Sequence, residues 1–311
     1  MSGTELSQTR AWVLAARPQT LPAAAAPVVV GAGLAWHDGI FALLPTLAAF
    51  VGAALIQIGT NFANDYYDAI QGADTDAREG FTRVTQSGLI APKSVKRAMY
   101  LTFAAAIGVG SYLVYVGGLP ILVIGLLSVL SGIAYTGGPY PLGYHGLGDL
   151  FVFVFFGVIA VMGTYYVQAT AVLAAPLSTT IPPNTITWTA FLASLPVAAL
   201  STNILVVNNI RDRKEDATTG KHTLAVRFGY RFSRLQFAGL ATLAYLIPVW
   251  LWLAEGFGST VLLPLLTIPI SGQVTRTVWN QTAGTALNPA LETAGKLLAA
   301  YSLLFGLGLA F

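Results

Sequence analysis

Two groups of amide and carboxylate side chains stand out at the ends of long apolar stretches of this sequence. The members of each group recur every three or four residues, so each group falls on one side of a helix. Such side chains are costly in contact with lipid, and we therefore expect both groups to face a bundle interior or a water-filled cavity. The first motif comprises Asn61, Asn64, Asp65 and Asp68, and the second motif comprises Asn208, Asp212 and Asp216.

The two motifs align with each other, which predicts an internal repeat relating helices 1–4 to helices 5–8. The aligned segments are Asn64-Asp65-x2-Asp68 and Asn208-Asn209-x2-Asp212. Two matching clusters favour one shared site over two unrelated features. The alternative for either motif alone is an interhelical hydrogen-bond network, and acids at helix ends can also be solvated loop charges.

Carboxylate oxygens are ligands for Mg²⁺, which usually binds few carboxylates together with substrate phosphates. Two facing motifs can hold such ions across one diphosphate and neutralise the charge of the leaving group. Cationic side chains nearby can bind the remaining phosphate oxygens. The candidate cations are Arg17, Arg78, Arg83, Arg213 and Lys221, and the amides of Asn61 and Asn64 are further candidate substrate contacts.

The composition places this chemistry in a membrane. Of the 311 residues, 55% are hydrophobic and 9% are charged, whereas soluble domains carry about 25% charged residues. About 20 apolar residues span a bilayer, and the apolar runs divide at Gly, Pro and polar breaks. We predict one all-α polytopic domain, 1–311, with nine transmembrane helices at 18–36, 41–64, 98–116, 119–136, 150–175, 187–210, 235–254, 258–272 and 290–311.

The distribution of charge predicts the orientation of these helices. With the N-terminus in the cytoplasm and the C-terminus outside, all 16 Lys and Arg residues fall in inner segments. This is the arrangement that the positive-inside rule favours. Both motifs then face the cytoplasm. The chain contains no cysteine, which excludes disulfides and thiolate chemistry, and no cleavable signal peptide is evident.

The motifs resemble those of the UbiA superfamily of intramembrane aromatic prenyltransferases. That family has nine helices and two Asp-rich motifs, NDxxDxxxD and DxxxD, in the loops after helices two and six. The matching segments are Asn64-Asp65-Tyr66-Tyr67-Asp68 and Asp212-Arg213-Lys214-Glu215-Asp216. Gly72 stands where the family has the third acid of its first motif, and Asp74 is the candidate substitute. The resemblance implies Mg²⁺ bound by Asp65, Asp68, Asp212, Asp216 and Asp74.

Further stretches are most similar to the branch of the family that prenylates 1,4-dihydroxy-2-naphthoate. Gln86-Ser87-Gly88-Leu89-Ile90 and the segment 135–149 carry this likeness, and Leu142-Gly143-Tyr144-His145 replaces the Lys-Arg pair of the 4-hydroxybenzoate branch. The implied reaction joins a polyprenyl diphosphate to the naphthoate with loss of diphosphate and CO₂, and oxidation of the product then gives demethylmenaquinone. The implied location is the cell membrane, in contact with lipid and with the site facing the cytoplasm. No nucleic-acid partner is expected.

Several roles stay open at this point. The allylic cation needs aromatic faces, for which Tyr66, Tyr67, Tyr135 and Tyr140 are candidates, and Asp216 or Asp149 can accept the phenolic proton. The naphthoate carboxylate needs a cation, either Arg83 or Arg17. Alternative functions are a sister enzyme that uses 4-hydroxybenzoate, homogentisate or a glycerol phosphate lipid, or an ion-coupled transporter.

Overall fold

The computed structural model describes residues 7–70, 83–135, 141–282 and 284–311. Within these ranges the secondary structure is helical and contains no strand. The α-helices are α1 Gln8–Ala16, α2 Leu21–His37, α3 Leu43–Ile70, α4 Pro92–Ala134, α5 Gly148–Val152, α6 Ala160–Leu173, α7 Trp188–Arg211, α8 Arg213–Thr218, α9 Leu224–Ala254, α10 Ile268–Asn280 and α11 Gly284–Ala310.

Shorter helical turns connect several of these elements. Pro18–Thr20, Leu142–His145 and Ser259–Thr267 form 3-10 turns, and Phe153–Ile159 is π-helical and joins α5 to α6. Among the described residues, eight helical segments are long and apolar enough to cross a membrane: Gln8–His37, Leu43–Ile70, Pro92–Ala134, Gly148–Leu173, Trp188–Arg211, Leu224–Ala254, Ser259–Asn280 and Gly284–Ala310.

The difference between eight segments and the nine predicted helices arises in α4. Gly118 has φ +69°, ψ −156°, a non-helical conformation that interrupts the 43-residue element. A Cβ on Gly132 would lie 3.7 Å from the ring of Phe103, so the two halves of α4 lie alongside each other. The break stands within the predicted segment 117–120, and the amide of Leu119 donates to the carbonyl of Ser178 at 2.8 Å.

The core is built around α7, whose residues are mostly buried between α2, α9 and α11. Close approach of helices depends on small residues in membrane proteins. A Cβ on Gly33 of α2 would overlap the backbone of Gly306 of α11, so only glycine allows this contact. A second cluster joins α1, α3 and the first half of α4 around Phe62, Met99 and Phe103.

Helix ends differ from the predicted spans mainly on the side that carries the motifs. We predicted that the second span ends at residue 64, but α3 continues to Ile70. Asp65 and Asp68 are therefore helical, and the first motif does not begin in a loop as the family pattern implied. The sequence pattern also missed α1, whose hydroxyl cap is Ser7, accepting from the amide of Arg10.

Candidate active site

One cavity of about 1130 Å³ brings the two motifs together. Its polar end is lined by Arg17, Asn61, Asn64, Asp68, Arg83, Tyr135, Tyr144, Asn208, Asn209, Arg211, Asp212, Asp216 and Lys221. The remaining walls are largely apolar and come from α2, α3, both halves of α4, and the segment from α5 to α6. The predicted shared site is therefore a single space in which charged groups sit at one end of an apolar chamber.

Asp68 is contacted by three side chains of this cavity. Its Oδ2 lies 2.7 Å from an Arg83 guanidinium nitrogen, and both side chains are almost fully buried. The hydroxyl of Tyr144 donates to Asp68 Oδ1 at 3.2 Å, and Lys221 Nζ lies 3.9 Å from the same oxygen. Two positive charges and one hydroxyl thus converge on one carboxylate, from three segments far apart in sequence.

Asp65 has different surroundings from Asp68, although the two are three residues apart. Its Oδ1 accepts a hydrogen bond from the backbone amide of Thr85 at 3.4 Å, its exposure is 1%, and it does not line the cavity. Three residues turn a helix by about 300°, which places Asp65 roughly 60° away from Asp68. In this structure Asp65 holds the turn that presents Arg83.

Asn61 connects α3 to the start of α2. Its side-chain amide donates to the carbonyl of Ala16 at 2.8 Å and to Thr20 Oγ1 at 2.9 Å. Gln57, one turn away, donates to Asn61 Oδ1 at 3.3 Å and to the same threonine at 3.1 Å. This network fixes the segment that carries Arg17, a non-glycine residue with φ +51°. Arg17 lines the cavity.

Asp212 is held by its own neighbour in the chain. Arg211 Nε lies 2.6 Å from Asp212 Oδ1, and a second guanidinium nitrogen lies 2.8 Å from Oδ2. The remaining Arg211 nitrogen donates to Asn288 Oδ1 of α11 at 3.1 Å. Two parallel hydrogen bonds from one guanidinium are a strong arrangement for a carboxylate. The Asp212 side chain is nevertheless 15% exposed.

Asp216 and Lys221 are positioned by the segment that follows α7. The backbone amide of Lys221 donates to the Asp216 carbonyl at 2.9 Å, and the amide of His222 donates to the Tyr144 carbonyl at 2.7 Å. Lys221 Nζ also lies 4.8 Å from the centre of the Tyr144 ring, within cation–π range. The segment 216–222 therefore joins the second motif to the turn that supplies Tyr144.

Aromatic rings line the cavity beside the polar end. Tyr135 lies 6.4 Å from Phe151, which stacks on Phe155 with 4.3 Å between ring centres. Phe155 belongs to the π-helical turn, a feature that often marks functional sites. Burial raises the pKa of Tyr135 most, and the charges of Asp149, Asp68 and Asp216 raise this pKa further. Its hydroxyl is therefore a neutral donor at ordinary pH.

Some predicted residues lie away from this cavity. Arg213 donates to the Ala225 carbonyl at 2.8 Å and stacks over Tyr230, so it binds α8 to α9. Tyr66 and Tyr67 pack against each other, with Lys96 over the Tyr66 ring, and Asp149 is buried but does not line the cavity. Asp74, Arg78 and Tyr140 lie outside the described residues.

The oxygen-rich polar end suits a hard cation such as Mg²⁺. Asp68, Asp212 and Asp216 line one space together with the amides of Asn64 and Asn208. In the part of the chain that the structure describes, no three His, Asp or Glu side chains form a compact metal site. The donor set fits an ion that also takes oxygens from a bound phosphate, rather than one enclosed by protein ligands alone.

Sequence reasoning missed several residues of the cavity wall. Tyr144 and Arg211 bind the key acids, and Phe151 and Phe155 supply the aromatic faces. The sequence offered one indication for Tyr144, because it lies in the segment where the 4-hydroxybenzoate branch of the family has a Lys-Arg pair. Nothing in the spacing marks the phenylalanines, because their direction depends on the π-helical turn.

Comparison with known proteins agrees with this geometry. Residues 24–291 match the model of the UbiA prenyltransferase family. The chain is 36% identical to the 1,4-dihydroxy-2-naphthoate octaprenyltransferase of Escherichia coli strain K12, covering 99% of this chain and 98% of that one. It is also 36% identical to the protein of the same name from Mycobacterium tuberculosis, covering 96% and 97% of the two chains.

Solved structures show the same fold at lower sequence identity. A UbiA homolog from Aeropyrum pernix K1 aligns with a TM-score of 0.69 at 14% identity, over 92% of this chain and 96% of that chain. A UbiA homolog from Archaeoglobus fulgidus bound to DMAPP and Mg²⁺ aligns with a TM-score of 0.59 at 14% identity, over 94% and 98%. The match over most of the chain, together with the two aligned motifs on one cavity, shows that the chain belongs to the UbiA prenyltransferase family.

Proposed function

We propose that this protein transfers a polyprenyl group from polyprenyl diphosphate to 1,4-dihydroxy-2-naphthoate, in the membrane and as a step of menaquinone synthesis. A bond forms between the allylic carbon of the donor and the ring carbon that carries the carboxylate, and diphosphate and CO₂ leave. Oxidation of the product gives demethylmenaquinone. The observation that carries the proposal is the near-full-length likeness to proteins named for this acceptor.

The donor diphosphate binds at the polar end of the cavity. Arg83 and Lys221 lie within 2.7 and 3.9 Å of Asp68, and Arg17 lines the same end. Their charges pair with phosphate oxygens, and Asn64 adds an amide contact. Asn61 acts indirectly, because its amide group donates to Ala16 and Thr20 and so holds the segment that carries Arg17. Tyr135 supplies a neutral hydroxyl on the same wall, at the point where the polar end meets the aromatic rings.

Mg²⁺ is the proposed cofactor, held by Asp68, Asp212 and Asp216, with Asp65 and Asp74 as further ligands implied by the family motif. When bound, the ion neutralises the charge on the departing diphosphate. A related structure that binds DMAPP and Mg²⁺ supports this assignment. Asp65 can also contribute indirectly, through the turn that carries Arg83.

The chain's own side chains then protect the reactive carbon and orient the acceptor. Phe151, Phe155 and Tyr135 present ring faces, which attract a cation, and the apolar walls exclude water. Asp216, which lines the cavity, and Asp149, which is buried outside it, are the candidate bases for the phenolic proton. Asp216 can accept the proton only through an oxygen that does not bind the ion. Arg17 and Arg83 both line the cavity and are the candidate partners for the naphthoate carboxylate.

A direct assay tests the acceptor. Purified protein in vesicles is given Mg²⁺, octaprenyl diphosphate and one acceptor at a time: the dihydroxynaphthoate, 4-hydroxybenzoate or homogentisate. We expect diphosphate release and prenylated product only with the naphthoate, and loss of both after chelation of Mg²⁺. Product with another acceptor alone would contradict the acceptor assignment. Ion flux across the vesicles without any product would favour the transporter alternative.

We also propose nine membrane spans, a cytoplasmic N-terminus and a site that faces the cytoplasm. The interruption of α4 at Gly118 divides that element into two spans, and all 16 Lys and Arg residues then fall on one side. Because the chain lacks cysteine, a single introduced cysteine reports the side of the membrane on which it lies. An impermeant maleimide added outside cells should label Thr180→Cys and Glu255→Cys but not Thr218→Cys. The reverse labelling pattern would show that the N-terminus lies outside and the C-terminus in the cytoplasm.

A further inference from the structure

The cavity extends far beyond the site proposed for the diphosphate. Gly52, Gly110, Gly125 and Gly163 line its apolar part, and they come from α3, the two halves of α4, and α6. A Cβ built on Gly110, Gly125 or Gly163 meets nothing within 4 Å, and one on Gly52 meets only Val109 Cγ1 at 3.8 Å. These four glycines, termed here the glycine collar, border open space.

Contacts between the helices place two of these residues, Gly52 and Gly110, at one depth. Gly59 of α3 faces the ring of Phe103 in the first half of α4, with a Cβ distance of 3.1 Å. These two segments run in opposite directions. Gly52 lies seven residues before Gly59, and Gly110 lies seven residues after Phe103, so both are displaced equally toward the outer end of the bundle. The contact of Gly52 with Val109 agrees with this pairing.

Gly125 and Gly163 reach the same depth by the same reasoning. Gly132 of α4 faces Thr60 Oγ1, with a Cβ distance of 2.7 Å, so Gly125, seven residues further out, is level with position 53. On the other wall, Thr46 Oγ1 lies 3.0 Å from Gln168 Oε1. Gly163, five residues further in than Gln168, is therefore level with position 51.

The depth of the collar can be measured from the first motif. Gly52 precedes Asp68 by sixteen residues, which corresponds to about 24 Å along α3, most of the roughly 30 Å of hydrocarbon in a bilayer. Between them, Gln57 marks the inner limit of the apolar part: it is 7% exposed, and its Oε1 has no hydrogen-bond partner among the described residues. Beyond the collar, Ile121 and Val167 line the cavity and belong to a buried apolar cluster.

Glycine in membrane helices usually serves close packing of two backbones. Gly33 does this against Gly306 in the same protein. The collar glycines do not, since no backbone atom of another segment lies within 4 Å of their built Cβ atoms. Their common property is that they leave the cavity wide at one level on four walls.

We propose that the glycine collar determines which donor chain lengths the protein accepts, by keeping open the space for the distal isoprene units of a long polyprenyl diphosphate. The inference rests on the proposed function, because it takes the diphosphate to lie at the acidic end. A side chain added at the collar shortens the chamber and leaves the diphosphate contacts, about 24 Å away, untouched. Short donors end before the collar, whereas long donors reach it.

Leucine substitutions test this proposal one wall at a time. Gly110→Leu, Gly125→Leu and Gly163→Leu each fill open space, and leucine favours a helix more than glycine does. Gly108→Leu is the matched control, since Gly108 lies on α4 with nothing within 4 Å of its built Cβ, is exposed, and does not line the cavity. Thermal unfolding of each variant in detergent checks that the fold is retained.

The measured quantity is the ratio of kcat/KM for octaprenyl diphosphate to that for geranyl diphosphate. We expect this ratio to fall at least about tenfold in the collar variants, because steric differences of this size are typical of apolar pockets, and to stay unchanged in Gly108→Leu. An unchanged ratio in all three collar variants would overturn the proposal and indicate that the donor chain leaves sideways into lipid. Equal losses for both donors would also overturn it.

A binding measurement separates this proposal from the choice of acceptor. Unreactive thiodiphosphate analogues of the two donors are titrated with Mg²⁺ and no acceptor, and tryptophan fluorescence reports binding. A selective loss of affinity for the long analogue in the collar variants supports the proposal even if the naphthoate proves to be the wrong acceptor. If the collar variants bind the two analogues with the same relative affinity as the natural protein, while the naphthoate is prenylated, the collar proposal is wrong and the proposed function stands.

Discussion

The inner ends of α3 and α7 carry motifs that align in sequence, yet they hold their carboxylates in different ways. Asp68 is 2% exposed and is bound by Arg83, Tyr144 and Lys221, three residues from other segments. Asp212 has 15% of its side chain exposed and is bound by the adjacent Arg211. The first acid therefore depends on tertiary structure, whereas the second is paired locally.

This difference predicts separate roles for the two motifs within the proposed diphosphate site. A buried ion pair loses several kcal/mol when one partner is removed, because the other charge stays desolvated, while a partly exposed pair can exchange its partner for water. We therefore expect the α3 end to be a rigid platform that fixes three segments. The α7 end is expected to be the more adaptable side, where Asp212 can turn toward a bound ligand at little cost.

The largest expected effect comes from neutralising each acid in turn. Asp68→Asn and Asp212→Asn should each lower kcat at least about 100-fold, a loss typical of removing one charge-stabilising group. Only Asp68→Asn should also lower the free energy of unfolding, by about 2–4 kcal/mol, since it removes the negative charge 2.7 Å from the buried Arg83 guanidinium. Helical content measured by circular dichroism should stay constant in both. Near-normal turnover in either variant would refute its place in the site.

A second comparison removes the cations instead of the acids. Arg83→Gln should lower the free energy of unfolding by about 3 kcal/mol, and Arg211→Gln by about 1 kcal/mol, because Asp212 retains access to water. The variant with both Asp68→Asn and Arg83→Gln should be more stable than the sum of the single changes implies, with a coupling of about 2 kcal/mol. Additive losses measured by chemical unfolding would mean that the 2.7 Å pair is energetically unimportant.

A smaller effect is expected for the hydroxyl that binds Asp68. Tyr144→Phe removes the 3.2 Å hydrogen bond and keeps the ring beneath Lys221. We expect KM for the donor to rise roughly fivefold, the equivalent of about 1 kcal/mol for one hydrogen bond. Tyr230→Phe is the matched control, because its ring lies 4.6 Å from the Arg213 guanidinium outside the cavity. Equal changes of KM in the two variants would show that the Tyr144 hydroxyl does not contribute to donor binding.

Much of this arrangement follows from sequence. Steps of three and four residues place Asn61, Asn64 and Asp68 on one helical side, and all three line the cavity. The break at 117–120 and most predicted helices agree with the structure. These features are local, since they depend on helical period and on the conformational freedom of glycine, and a sequence contains that information directly.

The contacts that distinguish the two motifs are not local. Periodicity grouped Asp65 with Asp68, but packing of the 83–88 turn draws Asp65 away from the cavity. Arg83 and Tyr144 reach Asp68 across 15 and 76 residues of chain, and no spacing rule connects such distant positions. Arg211 was overlooked for the opposite reason, since an adjacent cation looks like an ordinary helix-end charge.

The smallest expected effect concerns Tyr135, whose pKa is raised by acids of both motifs. Burial raises its pKa above the usual 10.0, and charges from Asp68 on one motif and Asp216 on the other add to the shift. Below pH 10 the phenol is neutral in the folded and unfolded states; above pH 10 only the unfolded state releases the proton, so stability falls as pH rises. Between pH 10 and 11, Tyr135→Phe should lose about 1 kcal/mol less unfolding free energy than the natural protein. Parallel pH profiles of the two proteins would show that the folded state does not hold this phenol neutral.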